Sequence, residues 1–233
     1  MKSDLNIFLR FTNRLIVAVV FFCISLSLNI FQARGQVIET AQIKTEGIEN
    51  LNQLDSRDVF RIENYLNSIT TLESRILQIS SAGDFSEGTL FLAKPGKMRL
   101  EYDDPNPILL IADGTNLAYF DKELKQTSYF DLQSTQAAIL LDKKISFSSG
   151  EIFITAFERG PSVFRLSLIK GGDPNGGAMK IIFSDKPLRL KKWTITDAQG
   201  IITNVSLVNP RFGHLLNPNL FIFEEPNKDL ENQ

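Results

Sequence analysis

The sequence predicts a mainly β domain with some α: one curved antiparallel sheet of about 11 strands, its concave apolar face lidded by helices. Three observations predict it. Hydrophobic spacing changes from a helical period to a period of two after Thr70. From there, short runs rich in apolar residues recur between turn-forming residues as far as Asn209. Two segments keep helical spacing and carry apolar stripes that need a surface to lie on.

Residues 1–35 read as a targeting unit. Lys2, Arg10 and Arg14 form a positive start, Leu15 to Phe31 is an almost unbroken apolar run, and small residues follow at Ala33 and Gly35. That order is a secretory signal peptide cleaved near Ala33 or Gly35. A retained membrane anchor stays open as the alternative, since a run of about 17 apolar residues reaches the lower edge of spanning length. Cys23 follows Phe21 and Phe22 rather than a small residue, which argues against lipid attachment, and no cysteine lies beyond it. Stability must then come from burial, not disulfides. Residues 1–35 hold four of the 25 basic and one of the 27 acidic residues, leaving 21 against 26, a net charge of −5. An acidic exported domain is a poor partner for nucleic acid. Phe outnumbers Tyr by 18 to four, which suits deep cores or greasy pockets because Phe has no polar group to satisfy.

Residues 36–54 are polar, with Ile38, Ile43 and Ile48 too widely spaced for a face, and read as a tether. Asp55, Ser56, Arg57 and Asp58 supply helix-start residue types. Behind them Val59, Ile62, Leu66 and Ile69 share one helical face. Candidate strands then run over 71–80, 88–94, 98–102, 108–112, 116–121 and 126–131, a short helix over 134–141, and further strands over 151–159, 162–170, 178–185, 190–196 and 201–209. Pro95-Gly96, Asp113-Gly114 and Asp197–Gly200 are the turns, and residues 171–177 form a glycine-rich loop. So many antiparallel strands curl rather than stay flat. Residues 55–223 are therefore the folded domain, followed by a flexible tail at 224–233. Leu220, Phe221 and Phe223 suggest one more short strand.

Alternation assigns faces. Met98, Leu100 and Tyr102 oppose Arg99 and Glu101, while Leu90, Leu92 and Lys94 share a side. The run Ile108–Ile111 is apolar on both faces. Inward apolar residues alone fit either a packed core or a hollow wall.

Gly88, Leu90, Lys94, Pro95, Arg99, Tyr102, Pro105, Asp113 and Gly114 fall in a strand, basic-Pro turn, strand, Tyr-x-x-Pro and late Asp-Gly order. With the hairpin 116–130, the Leu140-Leu141 helix end, the leading helix and the signal segment, this resembles the periplasmic outer-membrane lipoprotein carriers, the LolA-like family. The resemblance implies a half-barrel with helices as a lid over an apolar cavity, and a monomeric carrier without cofactor. Such a carrier takes acylated lipoproteins from an inner-membrane ABC transporter toward an outer-membrane acceptor. On that basis Leu90, Leu92, Met98, Leu100, Tyr102, Leu110 and Tyr119 line an acyl-chain cavity, and Val59, Ile62, Leu66, Ile139 and Leu140 form the lid. In the family, a basic residue before the proline ties the closed lid. Lys94 stands there, either as that latch or as a solvated residue beside a turn.

Chemistry for an enzyme is absent from the sequence. His214 is the one histidine and has no ligand spacing around it. Asp103-Asp104 reads as a strand end, and Asn204-Val205-Ser206 matches a glycosylation sequon inside a strand. No nucleophile elbow or phosphate loop is present. The competing reading is an envelope sensor or regulatory lipid-binding module on the same architecture, which would carry a second domain after the sheet.

Overall fold

The computed structural model describes residues 53–171 and 177–225. The expected signal segment 1–35, the tether up to Asn52, the glycine-loop residues 172–176 and the tail beyond Glu225 lie outside the described residues.

Helix α1 (Gln53–Ser68) leads into β1 (Thr71–Ser80), β2 (Phe85–Ala93), β3 (Lys97–Tyr102), β4 (Ile108–Asp113), β5 (Asn116–Asp121) and β6 (Gln126–Asp131). A 3-10 turn (Leu132–Ser134) and a single α-helical turn, α2 (Ala138–Leu141), precede β7 (Ile152–Gly160) and β8 (Val163–Lys170). The remaining strands are β9 (Ala178–Ser184), β10 (Arg189–Thr196) and β11 (Ile202–Phe212). All eleven strands form one antiparallel sheet in the order β6-β5-β4-β3-β2-β1-β11-β10-β9-β8-β7.

That order makes two meanders, β1–β6 and β7–β11, zipped together where β1 pairs β11. The strands β6 and β7 are consecutive in sequence yet occupy opposite edges of the sheet. Residues 132–151 must therefore cross from edge to edge, and they do so over the concave face. This crossing is the roof.

Several expectations change in detail. The helix-start residues Asp55 and Asp58 lie inside α1, which begins at Gln53. Asp55 lies in the first turn, where the helix dipole favours a carboxylate, and both Asp55 and Asp58 bind Arg159 of β7, Asp58 at 2.6 Å. The helix expected over 134–141 is split into the 3-10 turn and α2. Strand β2 starts at Phe85, because Ser80 and Asp84 close a turn that lets Phe85 pair with Ile79. Strand β11 continues past Pro210 to Phe212, with a register shift opposite Glu73–Arg75 and positive φ at Asn209 absorbing the break. The last expected strand is instead a 3-10 turn, Pro218–Phe221. Pro218 removes a ladder donor and Asn217 caps the turn by accepting from the Asn219 amide.

Packing divides the concave face into two halves. Over β8–β10, α1 fills the space: Ile62 and Leu66 are almost fully buried, and the Tyr65 ring meets Phe183 edge-on at 6.1 Å. The Tyr65 hydroxyl accepts from the Leu190 amide at 3.0 Å. Each such buried aliphatic side chain is worth about 1.5–3 kcal/mol. The helix also holds the crossing segment: Asn67 exchanges two 2.8 Å hydrogen bonds with the Ile145 backbone, and Glu63 accepts from the Phe147 amide. On the convex side, Phe223 covers Leu109, Ile111 and Phe120, which explains why β4 is apolar on both faces.

Candidate functional site

The other half of the concave face is hollow. A cavity of about 170 Å³ lies between β1–β5 and the crossing segment. The pairing register makes its floor: Leu92–Met98 and Leu90–Leu100–Leu110–Tyr119 are direct cross-strand neighbours on one side of the sheet. All seven floor residues expected from the sequence, Leu90, Leu92, Met98, Leu100, Tyr102, Leu110 and Tyr119, line this cavity. Burial pushes the phenols of Tyr102 and Tyr119 above their ordinary value, so both stay neutral.

The expected lid residues separate. Leu140 lines the cavity, together with Ser134–Ala137 and Leu141. Val59, Ile62, Leu66 and Ile139 do not; they are buried in the packed core. A helical stripe shows that one face is apolar, but not which part of the sheet it meets. The side wall supplied by Met179, Trp193, Ile195 and Val205 was also missed as site residues. Alternation assigns these residues no face, and only the β1·β11 pairing brings β9–β11 beside the cavity.

The roof is fastened at one end, at the β2–β3 turn. Gly96 donates its amide to the Leu141 carbonyl at 2.8 Å, and Lys94 Nζ donates to the Leu66 carbonyl at the end of α1 at 3.0 Å. Gly96 is required there. Its φ is +73°, and a Cβ would come within 2.6 Å of Gly114 Cα in the neighbouring β4–β5 turn.

Burial pushes the Lys94 ammonium down from its ordinary value to about 8, opposed by the Asp142 carboxylate. The charged form is thus disfavoured in the folded state. Its cost is fully present below pH 8 and is relieved as pH rises from about 8 toward 10.5, so stability gains with pH across that window. The gain is roughly 3 kcal/mol at most. Lys94→Met is expected to flatten it, as read by urea unfolding between about pH 7 and 10. An identical slope in both proteins would rule out a buried amine at this turn.

Chemistry beyond binding is sparse. Among the described residues no group of His, Cys, Asp and Glu could hold a metal. His214 lies apart from the cavity, its Nε2 2.8 Å from Glu73 Oε2. No described helix is long and apolar enough to cross a membrane.

A family model described as "Outer membrane lipoprotein carrier protein LolA" matches residues 67–224, more than half of the 233-residue chain. The chain belongs to this lipoprotein carrier family. It is 29% identical over 180 residues to the outer-membrane lipoprotein carrier protein of Pseudomonas aeruginosa (strain PAO1), covering 74% of this chain and 86% of the relative. It is 28% identical over 173 residues to that of Legionella pneumophila (strain Paris), covering 71% and 84%. A solved LolA superfamily protein from Nitrosomonas europaea aligns with a TM-score of 0.43 at 10% identity, over 70% of this chain and 97% of that one.

For a lipoprotein carrier the cavity volume matters. Pockets that hold drug-sized ligands measure about 300–1,000 Å³, so 170 Å³ is too small for several acyl chains.

Proposed function

We propose that this chain is a periplasmic carrier that shelters the acyl chains of lipoproteins and moves them from an inner-membrane ABC transporter toward an outer-membrane acceptor. The observation that carries this reading is a hollow apolar half-sheet under a thin roof, in a chain of the lipoprotein carrier family. Each CH₂ group taken out of water is worth about 0.8 kcal/mol, so acyl chains need cover to pass through an aqueous compartment. Leu90, Leu92, Met98, Leu100, Leu110 and the tyrosines at 102 and 119 supply that cover. Leu140 faces the cavity from the roof, while Val59, Ile62 and Leu66 seat α1 in the core and Ile139 seats α2. Lys94 acts as a latch indirectly: its bond to the end of α1 fixes the β2–β3 turn, whose Gly96 amide in turn holds Leu141 of the roof. In domain terms, 1–35 directs export, the stretch before α1 is a tether, the carrier runs from α1 to residue 223, and 224–233 is a tail.

The test is mass spectrometry of what the protein holds when isolated gently from its host envelope. Co-purifying acylated peptides are expected. Protein that is free of them, and that takes up no triacylated lipopeptide in vitro, ends the proposal.

A further inference from the structure

The floor of the cavity changes from apolar to polar along its length. Leu92, Met98, Leu117 and Leu141 line the end beside the Lys94–Gly96 turn. At the opposite end of the sheet the lining changes to Gln78, Tyr102, Thr203 and Asp197. Within that polar end, Gln78 is more than nine-tenths buried and faces the cavity. The Tyr102 hydroxyl donates to Gln78 Oε1 at 2.7 Å, reaching from β3 to β1 across β2. It can reach because the β2 residue opposite Tyr102 is Gly88, which puts no side chain in the way. A Cβ on Gly88 would also come within 2.5 Å of the Glu101 carbonyl. With its oxygen engaged by Tyr102, Gln78 has its amide N–H donors as its remaining hydrogen-bonding groups.

We propose that Gln78 is a subsite for the carbonyl at the head of an acyl chain, the ester or amide that joins fatty chain to glycerol or amine. Hydrocarbon then points toward the Lys94–Gly96 turn, and the polar head sits at the β10–β11 turn, where Asp197 and Ala198 meet the cavity. A donor buried in an apolar cavity favours a ligand that brings an acceptor to it and disfavours one that does not. Tyr102 acts here as a positioning residue. This inference rests on the carrier reading above and names which part of the cargo the cavity recognises.

The experiment compares two synthetic probes on the full chain: a dipalmitoyl-ester lipopeptide and its dialkyl-ether counterpart of equal chain length, which lacks the carbonyls. The native protein is expected to bind the ester about fivefold more tightly. Gln78→Leu is expected to remove that preference, weakening the ester and relieving the penalty on the ether until the two bind equally. Tyr102→Phe, which drops only a hydroxyl, is expected to shrink the preference by freeing the amide to rotate. Equal binding of both probes by the native protein, or a preference that survives in both variants, overturns the subsite and leaves the carrier reading standing. Binding of neither probe overturns the carrier reading itself.

Discussion

Met98→Glu is expected to lower the affinity for acylated cargo by more than about 100-fold while the protein remains folded. Met98 sits in the floor, paired with Leu92 and Ala112, and is only partly buried because the cavity lies above it. In the empty protein a carboxylate there can keep water around it. When hydrocarbon fills the space that water is expelled, and an unpaired carboxylate in an apolar site costs several kcal/mol. Each 1.4 kcal/mol is a factor of ten, so even ~3 kcal/mol of desolvation reaches the stated loss. Met98→Leu, similar in volume and uncharged, is expected to bind nearly as the native protein does. Displacement of a fluorescent fatty acyl probe reads the affinity, and a thermal melt checks the fold. Native-like binding by a folded Met98→Glu protein would remove this cavity from cargo binding altogether.

The second large effect lies in the packed half. Phe183 on β9 is fully buried and carries the edge-on contact with Tyr65 that seats α1. Phe183→Ala removes that contact and leaves a void that rigid sheet backbone cannot close. Such losses cost ~3–5 kcal/mol. For a domain of this size the expected fall in Tm is on the order of 10 °C. Because Phe183 does not line the cavity, cargo affinity measured well below the new Tm should change little. A variant that melts normally but loses cargo would show that the two halves are not energetically separate.

These two variants divide the labour within one sheet. Met98 and Phe183 both lie on the concave face, and both belong to strands with similar apolar alternation. What differs is the cover. Above Phe183 is a 16-residue helix with a continuous apolar stripe. Above Met98 is a crossing chain that contributes one short turn, α2, and is pinned at the Gly96–Leu141 bond.

Much of this was legible in the residues. Alternation located all eleven strands, with several bounds matched at both ends, because a half-buried strand leaves a period of two. Gly96 and Gly114 marked their turns because each takes positive φ there. The seven floor residues were found because face assignment on adjacent strands is fixed once the turns between them are short. The reading failed where distant chain mattered. Ile62 and Leu66 have the spacing of a lid helix, yet they fill the core beside β8–β10. Gln78 shares its side of β1 with Leu72 and Ile76, yet alternation alone does not say that a polar residue there meets a cavity.

By itself, then, the sequence determined local conformation: strand periods, turn positions, the apolar stripe of α1, and the family motif around Lys94-Pro95. Only the tertiary structure decided which apolar residues touch each other and which face empty space. The reason is the pairing of β1 with β11, a contact between chain segments more than a hundred residues apart. That pairing puts β6 and β7 on opposite edges, stretches residues 132–151 over the concave side, and leaves too little chain there to fill it.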